Sequence, residues 1–399
     1  MKVLLVNNFV RHGSGVDRIV RLEQSLLAEK GHDVDLVARD NAAFDSARPL
    51  STAALGASCL YSWGARREVA ARMAREAADV VHVHNTVPLL TGAVYDALRG
   101  TPALVVAHLH DYRAFCPAAG AFRRGAACDL CTRSWFLGCA VYRCYRGSVA
   151  ASTGLTAARL VDAAKGRRFG AAPHAYIACS RYVRDEHVTH GLPATRIAVV
   201  HNGIADPDPD GRRRAKARAP RRKLTYVGSL LAAKGVRCLP SLAAALPDFE
   251  VHVIGTGPEL PWLRTARVRD RLGNLVLHGF VDGAAKLELW ADSLFTVVPS
   301  LWAEPFCLVG LESYALGVPV AASPAGGNRE LIDDGRTGII GDFSDTAAVA
   351  SRIRALCDDE PAREALRRAA RAAFEERFRA EVFGRNLVAA LEQLAEARR

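Results

Sequence analysis

The sequence predicts an α/β protein made of two doubly wound domains. Its 399 residues exceed what one hydrophobic core usually organises. Apolar, strand-like runs alternate with amphipathic helical patterns along most of the chain, and near-continuous apolar strands separated by helices are typical of a parallel sheet covered on both faces. The alternation also stops once, at a segment rich in proline and charge, and then restarts.

The first domain is predicted over residues 1–204. Residues 3–6 read as a buried strand, a glycine-containing loop follows, and residues 18–30 repeat apolar side chains at helical spacing. Further strands are expected at 34–38, 80–83, 103–107, 176–179 and 197–200. Residues 113–147 form a cysteine-rich insertion into this domain.

The second domain is predicted over residues 224–376, after a basic linker at 205–223. Its strands are expected at 224–227, 250–254, 276–277, 294–298, 318–322 and 338–340. Residues 377–399 read as an amphipathic helix that packs back on the first domain. We expect the two domains to face a central cleft, because ligands of doubly wound sheets bind at the carboxyl ends of the strands.

Charge and composition narrow the classes of function. The net charge is +11, but eight basic residues lie in the linker, so the remainder is close to neutral. We find no basic face interleaved with aromatic residues, which argues against a nucleic-acid partner. The basic run is either a solvated linker or a patch that touches anionic lipid or an anionic acceptor.

The hydropathy pattern bears on localisation. The first apolar run is too short for the core of a signal peptide, and no stretch approaches the roughly 18 apolar residues that span a bilayer. We therefore expect a cytoplasmic protein, with contact to the inner face of the membrane left open.

One segment carries the strongest chemical signal, Ser300-Leu-Trp-Ala-Glu304-Pro305-Phe-Cys-Leu-Val-Gly310-Leu-Glu312. Pro305 suits the first position of a helix, which would place Glu304 at its cap. The free N–H groups of residues 306–308 would then point outward with the positive end of the helix dipole, as in a diphosphate site. Glu312 lies about 12 Å further along the helix, so the two carboxylates would hold separate parts of an extended ligand.

This segment resembles the Glu-x7-Glu signature of the family-4 retaining glycosyltransferases, which have the GT-B fold. The resemblance runs over nearly the whole chain, and the order and spacing of several glycine loops make it specific. These loops are His201-Asn202-Gly203, Gly228-Ser-Leu-Leu-Ala-Ala-Lys234-Gly235, Ile254-Gly-Thr-Gly257-Pro258, His278-Gly279-Phe280, Pro324-Ala-Gly-Gly327-Asn-Arg-Glu330, Asp334-Gly335 and Thr337-Gly338.

The resemblance implies a donor site. Glu304 would bind hydroxyls of the donor sugar, Glu312 the ribose of the nucleotide, and Lys234 the diphosphate. Ser229 stands where the family usually has arginine, so the resemblance does not name the donor. The remaining donor-binding residues would be Gly13, Gly15, Gly228, Gly257 and, through their N–H groups, Phe306, Cys307 and Leu308.

The resemblance also assigns residues in the first domain. His110, which follows the strand at 103–107, matches the active-site histidine and completes a catalytic set with Glu304 and Lys234. Asp111 and Arg113 are weaker candidates for the acceptor side. His84 ends another predicted strand, where acceptor contact and a structural role are equally open.

The implied activity is transfer of a hexose-type sugar from a nucleoside-diphosphate sugar to a saccharide, lipid-linked or natural-product acceptor. Retention would proceed on one face, with the departing diphosphate stabilised electrostatically. No Asp-x-Asp metal motif lies near the end of a predicted strand, so no cofactor is expected for catalysis. The alternatives are a sugar-nucleotide 2-epimerase and a catalytically silent GT-B binding protein; no dinucleotide fingerprint follows the first strand, which disfavours a dehydrogenase.

Five cysteines crowd into the insertion. Cys128 and Cys131 have the spacing of a zinc knuckle. Three interpretations remain: a structural zinc site, reduced thiols that pack a loop, and, least favoured, a disulfide. For the zinc site we choose Cys116 and Cys144 as the other ligands, with Cys116 preferred over Cys139 by the resemblance alone.

Overall fold

The computed structural model describes residues 1–10, 14–41, 59–164, 173–216 and 222–398. It divides into two compact units. The first comprises Met1–Arg123, Ala127–Asn202 and Phe383–Arg399, and the second comprises Arg124–Ala126 and Gly203–Val382. Gly13, a predicted donor-binding residue, lies outside the described residues, as do Arg218 and Arg221 of the basic run.

The first unit is built on a six-stranded sheet in which every recorded pairing is parallel. In the order in which they pair, the strands are β2 (Asp33–Asp40), β1 (Lys2–Phe9), β3 (Val80–Val83), β4 (Leu104–Leu109), β7 (Ala175–Ala178) and β8 (Ile197–Val199). The central strands are buried along their length, as their continuous apolar runs predict. The helices of this region are α1 (Gly15–Glu29), α2 (Trp63–Glu76), α3 (Ala93–Ala97), α6 (Val149–Ala164) and α7 (Arg181–Thr189).

Helix α1 begins where the sequence supplies a cap. The Ser14 hydroxyl accepts a hydrogen bond from the Asp17 N–H, and the Asp17 carboxylate accepts one from the Ser14 N–H. This reciprocal capping box satisfies two N–H groups that would otherwise lack partners. Gly15 is therefore the first helical residue.

The cysteine-rich insertion forms small elements of its own. Two short strands, β5 (Phe122–Arg123) and β6 (Ala126–Ala127), pair with each other, and two short helices follow, α4 (Leu130–Arg133) and α5 (Leu137–Val141). Phe136 is fully buried with Cys131 and Cys139 in a local hydrophobic cluster. The insertion thus has a small core.

The second unit repeats the architecture of the first. Its six strands also pair in parallel, in the order β11 (Leu275–Gly279), β10 (Glu250–Ile254), β9 (Lys223–Val227), β12 (Phe295–Val298), β13 (Val320–Ala322) and β14 (Gly338–Ile340). Its helices are α8 (Arg212–Lys216), α9 (Leu239–Ala245), α10 (Leu260–Arg269), α11 (Gly283–Trp290), α12 (Leu308–Ala315), α13 (Asn328–Leu331), α14 (Thr346–Asp358) and α15 (Glu360–Ala373). The two six-stranded parallel sheets confirm the predicted α/β fold class.

The basic segment before β9 is ordered where the structure describes it, so a free, solvated linker is not what the chain forms there. The Asp208 carboxylate accepts hydrogen bonds from the N–H groups of Arg213 and Arg214 at the start of α8. Asp206 accepts a charged hydrogen bond of 2.5 Å from Arg371. These carboxylates anchor the segment to the second unit.

The C-terminal helix α16 (Ala380–Glu396) follows a single π-helical turn at Phe374–Phe378. A Cβ atom on Gly384 would lie 3.3 Å from Leu26 Cδ1, so α16 approaches α1 closely within the first unit. Arg398 donates a hydrogen bond of 2.9 Å to the Thr101 carbonyl. Among the described residues, no helix has the length and apolar character needed to cross a membrane.

Candidate active site

Lys234 and Glu304, two predicted catalytic residues, form an ion pair in the second unit. The Lys234 ammonium lies 2.8 Å and 3.0 Å from the two carboxylate oxygens of Glu304. The Ser300 hydroxyl donates to one of those oxygens, and the Trp302 ring centroid lies 4.6 Å from the ammonium. The Glu304 carboxylate is almost buried while the Lys234 side chain stays about a quarter exposed, at 27 %. An anionic ligand can therefore reach the cation.

The glycine loops beside this pair need glycine because backbone segments touch there. Gly255 has φ +150°, and a Cβ atom on it would lie 1.9 Å from the Gly228 carbonyl oxygen. Gly235, next to Lys234, has φ +69°, and its Cβ would lie 1.8 Å from the Pro299 oxygen. A side chain at either position would force the loops apart. The glycines thus hold the loop with Lys234 against the end of β12.

Helix α12 begins later than predicted. It starts at Leu308 with Cys307 as its N-cap, and Pro305 is not its first residue. Glu304 instead forms an isolated parallel bridge with Gly326, and its carbonyl accepts a 2.7 Å hydrogen bond from the Gly327 N–H. This pairing holds the backbone at Glu304 in an extended conformation and delays the helix by three residues.

The N–H groups at the start of α12 remain suited to an anion. Those of the first turn have no carbonyl four residues earlier within the helix, and Gly310 is the first to bond, to the Cys307 carbonyl at 3.0 Å. Phe306 and Cys307 are buried, so the predicted contacts at these positions would be made by backbone. Burial raises the pKa of the Cys307 thiol to about 12, which keeps it neutral.

Glu312 has a partner that the sequence did not reveal. Its carboxylate, which is nearly buried, accepts a 2.7 Å hydrogen bond from the Lys286 ammonium of α11. Lys286 is 16 % exposed and stands 26 residues earlier in the chain. No local pattern links the two positions, because only the tertiary fold brings α11 beside α12.

Ser229 lies on an exposed stretch of the first loop of this unit. Its carbonyl accepts a 2.8 Å hydrogen bond from the Tyr226 hydroxyl. Gly257, in the neighbouring loop, has φ +156°, and a Cβ there would lie 2.5 Å from the Leu230 carbonyl oxygen. The predicted residues Gly228, Ser229, Lys234, Gly257, Glu304 and Glu312 thus all belong to the second unit, as does the start of α12.

His110 lies in the first unit within a group of histidines. Its Nε2 atom is 2.9 Å from Nδ1 of His84, and its ring stacks on that of His108 with a centroid distance of 3.9 Å. His82 completes the group, 4.3 Å from the His84 ring. Because His82 pairs in register with Val106, alternate residues of β3 and β4 place four imidazoles on one face of the sheet.

Glu23 of α1 joins this group from the helix side. Its Oε1 lies 2.6 Å from His82 Nδ1, and its Oε2 lies 3.2 Å from His84 Nε2. Burial raises the pKa of Glu23, but the charges of the nearby His82 and His84 and the hydrogen bond with His82 outweigh it, so its pKa falls below the ordinary range. Glu23 is therefore a buried carboxylate anion.

Burial acts in the opposite direction on the histidines. It lowers the pKa of His84, and it lowers the pKa values of His108 and His110 well below the usual range, helped by the neighbouring imidazoles. Neither ring nitrogen of His108 has a hydrogen-bond partner. A buried polar atom left unpaired costs about 1–3 kcal/mol, so this arrangement needs an explanation.

The weaker acceptor candidates are placed differently. Asp111 accepts two hydrogen bonds of 2.9 Å from Arg113, one from its N–H and one from its guanidinium. Asp111 and Arg113 thus pair with each other and stay partly exposed. His84 is 8 % exposed and lies between other imidazoles, which favours its structural role over acceptor contact.

The cysteines of the insertion share one cavity of about 80 Å³. The Ala121 N–H donates a 3.3 Å hydrogen bond to Cys116 Sγ. Burial raises the pKa of Cys131 to about 12 and that of Cys139 to about 11, and the nearby thiols add to both shifts. All ten cysteines are free, so no disulfide forms here. The zinc ligand set stays a prediction, and its members line the cavity: Cys116, Cys128, Cys131 and Cys144.

Two family models match the chain in tandem. The model of glycosyltransferase family 4 matches residues 13–206, and the model of glycosyl transferases group 1 matches residues 209–373. Together they match most of both units, and the range matched by the group 1 model contains Lys234, Glu304 and Glu312.

Curated relatives match over part of their length. A glycogen synthase of Mycobacterium tuberculosis is 35 % identical over 205 residues, which are 49 % of this chain and 48 % of that protein. A GDP-mannose-dependent alpha-(1-6)-phosphatidylinositol monomannoside mannosyltransferase of Mycolicibacterium smegmatis is 30 % identical over 48 % of this chain and 55 % of its own length. The chain therefore spans about half the length of these relatives.

Solved structures match the whole chain at low identity, which shows the fold. Sucrose-phosphate synthase from Thermosynechococcus elongatus superposes with a TM-score of 0.71 at 18 % identity, covering 100 % of both chains. Anabaena HepE in complex with UDP-glucose gives 0.67 at 17 % identity, covering 98 % of this chain and 100 % of that one. With the two family models and these GT-B neighbours, the chain belongs to the group 1, family-4 glycosyltransferases.

Proposed function

We propose that this chain transfers a hexose-type sugar from a nucleoside-diphosphate sugar to a saccharide, lipid-linked or natural-product acceptor with retention of configuration. The observation that carries the proposal is the Lys234–Glu304 pair, 2.8 Å apart beside glycine-lined loops and the first turn of α12. An accessible cation, a carboxylate and outward N–H groups suit a diphosphate joined to a polyol.

The ion pair suggests how the donor engages the site. A bound diphosphate would draw the Lys234 ammonium toward its oxygens, and the Glu304 carboxylate would then accept hydrogen bonds from sugar hydroxyls. The N–H groups at Cys307 and Leu308 would take further phosphate oxygens. Glu312, held by Lys286, would accept hydrogen bonds from the ribose hydroxyls.

Catalysis would rest on stabilising the departing diphosphate. Charge develops on its oxygens as the glycosidic bond breaks, and Lys234 with the helix N-terminus would stabilise that charge more than the ground state. The acceptor hydroxyl would attack on the face that the diphosphate leaves, with its proton passing to a phosphate oxygen. His110 would line the reacting centre, and no catalytic divalent ion is needed in this proposal.

The relatives indicate which donors to try first. One curated relative is named as GDP-mannose-dependent, and the Anabaena structure holds UDP-glucose. UDP and GDP sugars therefore head the panel. The search for the acceptor begins once the donor has been identified.

A thermal-shift panel of UDP, GDP, TDP, ADP and CMP tests the proposal. A nucleotide at about 100 times its dissociation constant stabilises the fold by about 2.7 kcal/mol, which raises the Tm by a few degrees. Glu312→Gln should keep only about half of the shift, because about tenfold weaker binding leaves about 1.4 kcal/mol of stabilisation at the same concentration. Glu288→Gln, at a half-exposed carboxylate of α11, should keep the full shift. If no nucleotide shifts the folded wild type, the proposal fails.

Turnover separates the proposal from the epimerase alternative. The nucleotide that binds is supplied as its sugar conjugates together with a mixture of saccharide acceptors. A transferase releases the nucleoside diphosphate and produces a heavier acceptor by mass spectrometry. A 2-epimerase would instead change the sugar of the donor with no acceptor present.

We also propose that the insertion supports contact with an acceptor attached to lipid. Trp135, Leu137 and Val141 expose 61 %, 51 % and 69 % of their surface, whereas Phe136 between them is buried. Arg133, on the neighbouring helix α4, is exposed as well. Apolar side chains beside cations suit an anionic bilayer surface. Sedimentation with phosphatidylglycerol vesicles, and its loss in Trp135→Ser/Val141→Ser, tests this contact.

A further inference from the structure

Four buried side chains of the first unit each keep a metal-ligating atom without a hydrogen bond. Within the described ranges, Glu23, His82, His84 and His108 are the one group of three or more His, Cys, Asp or Glu residues whose ligand atoms all lie within 4.8 Å of one another. The atoms without hydrogen bonds are Glu23 Oε2, His82 Nε2, His84 Nε2 and both ring nitrogens of His108. Each residue thus offers at least one lone pair.

We infer that Glu23, His82, His84 and His108 form a binding site for one divalent transition-metal ion, with Zn²⁺ the best match to the donor set. Three imidazole nitrogens and one carboxylate oxygen are ligands that zinc takes at about 2.0–2.2 Å. Two such ligands in a tetrahedron stand about 3.4 Å apart. Glu23 Oε2 and His84 Nε2 are already 3.2 Å apart, without the geometry of a hydrogen bond.

A chain of hydrogen bonds without a metal explains less of this cluster. The Glu23–His82 contact of 2.6 Å would satisfy one atom of each residue. It would leave His108 with neither ring nitrogen paired, because its imidazole neighbours stack on it at centroid distances of 3.9–5.3 Å. A metal ion gives one unpaired atom of each of the four residues a shared partner, and leaves only the second nitrogen of His108.

The Glu23–His82 contact fixes the position of the His82 proton. When His82 Nδ1–H donates to Glu23 Oε1, the lone pair of His82 lies on Nε2, the atom that has no partner. Glu23 would leave this contact to ligate the ion, because a carboxylate bonded to one nitrogen of an imidazole cannot reach an ion held by the other.

The burial of the four residues assigns the site a structural role. Glu23 and His82 are 0 % exposed, His108 is 4 % and His84 is 8 % exposed, so no coordination position opens to substrate. The ion would tie α1, which carries Glu23, to the ends of β3 and β4. It would also fix His84, whose Nδ1 lies 2.9 Å from Nε2 of His110. This inference does not depend on the proposed sugar transfer.

Metal analysis of the purified full chain tests the site. Protein expressed with equal supplements of Zn, Mn, Fe, Co, Ni and Cu should retain one metal equivalent at this site by mass spectrometry after desalting, in addition to any zinc that the cysteine cavity binds. X-ray absorption should show nitrogen and oxygen ligands at about 2.0–2.1 Å. The variant His108→Asn should lose this equivalent. His190→Gln, at a partly buried histidine of the same unit, should keep it.

The cysteine cavity requires its own control. No cysteine belongs to the group of close ligand atoms, so Cys128→Ser/Cys131→Ser should keep the equivalent with nitrogen and oxygen ligands. If every metal that the wild type retains has an all-sulfur first shell, at about 2.3 Å, the inference is overturned. If the His108 variant does not fold, Co²⁺ added to metal-stripped wild type decides. Visible bands without a thiolate band, together with a raised Tm, support the site, and their absence overturns it.

Discussion

The two units treat their buried polar groups differently. In the second unit, Glu304 and Glu312 each pair with a lysine that remains partly exposed, Lys234 and Lys286. In the first unit, Glu23 and its histidines lie out of reach of solvent, and several of their ligand atoms have no partner. A lysine that can exchange its carboxylate partner for a ligand suits a site that binds and releases a substrate. Unpaired atoms in a closed interior suit an ion that stays.

We expect the largest effect, on kcat, from removing the charge of Lys234 in the second unit. Lys234→Met keeps the length of the side chain and removes the charge that would stabilise the departing diphosphate. We expect kcat to fall by about 10²–10³-fold, the usual cost of losing one charge-stabilising group. The measurement is the initial rate of nucleotide release with the donor identified by the binding panel.

A second cation of the same unit provides the control for this variant. Arg237 has a side chain 60 % exposed and pairs with Glu259 at 2.8 Å. Arg237→Met should change kcat by less than about threefold, because exposed ion pairs contribute little. Equal losses in the two variants would show that overall charge, and not the position of Lys234, governs the rate.

The next largest effect should be on stability, through a histidine of the first unit that is buried in its neutral form. Burial lowers the pKa of His187 in the first unit from 6.5 to about 4. Since the unfolded chain binds this proton first, His187 stabilises the fold fully above pH 6.5. That contribution is lost as the pH falls to about 4, a change of about 3 kcal/mol.

Denaturant unfolding at pH 7 and pH 4 measures this loss. His187→Asn retains a donor toward the Val183 carbonyl, now 2.7 Å from His187 Nδ1, but does not titrate. Its free energy of unfolding should fall less than that of the wild type over this range. His190→Asn, at a partly buried histidine of the same helix end that also lies 2.7 Å from a carbonyl four residues earlier, should follow the wild type. Equal losses in all three proteins would mean that His187 titrates normally.

The contrast between the units also explains what the sequence could predict. Buried parallel strands leave continuous apolar runs, so the strands of both sheets could be located. Glu304 and Glu312 belong to one motif with fixed spacing, and Lys234 belongs to a separate glycine loop. The start of α12 could not be predicted, because the bridge from Glu304 to Gly326 depends on a distant loop.

The site residues that were not predicted also differ in whether the local sequence marks them. Lys286 and Glu23 had no local signal, since each meets its partner only through the tertiary fold. His82 and His108 did have one: a His-x-His pair ends each of two successive predicted strands. Because alternate residues share one face of a strand, the two pairs on adjacent strands form a cluster. Of these four histidines, only His84 and His110 are predicted from the sequence to have a role in the site.

A smaller effect is expected at the second carboxylate of the donor site. Glu312→Gln should weaken nucleotide binding about tenfold, since a charge-assisted hydrogen bond to ribose becomes a neutral one. Lys286→Met should weaken it about threefold, the size of a partly exposed ion pair. Lys286 acts through Glu312, so the double variant should bind as Glu312→Gln does. Calorimetric titration measures all three, and additive losses would indicate that Lys286 contacts the nucleotide itself.

The smallest effect should be a gain. Ser229 is exposed on the loop that leads to Lys234, at the position where the family usually has arginine. Ser229→Arg should strengthen binding of the nucleoside diphosphate about threefold to tenfold, and the gain should shrink as salt screens the added charge. Ser229→Gln, which adds length without charge, and Leu231→Arg, which places the charge at another exposed position of the same loop, should show no such gain. A gain in both arginine variants would show that any charge near the loop suffices. No gain in either would show that the diphosphate lies out of reach of positions 229 and 231.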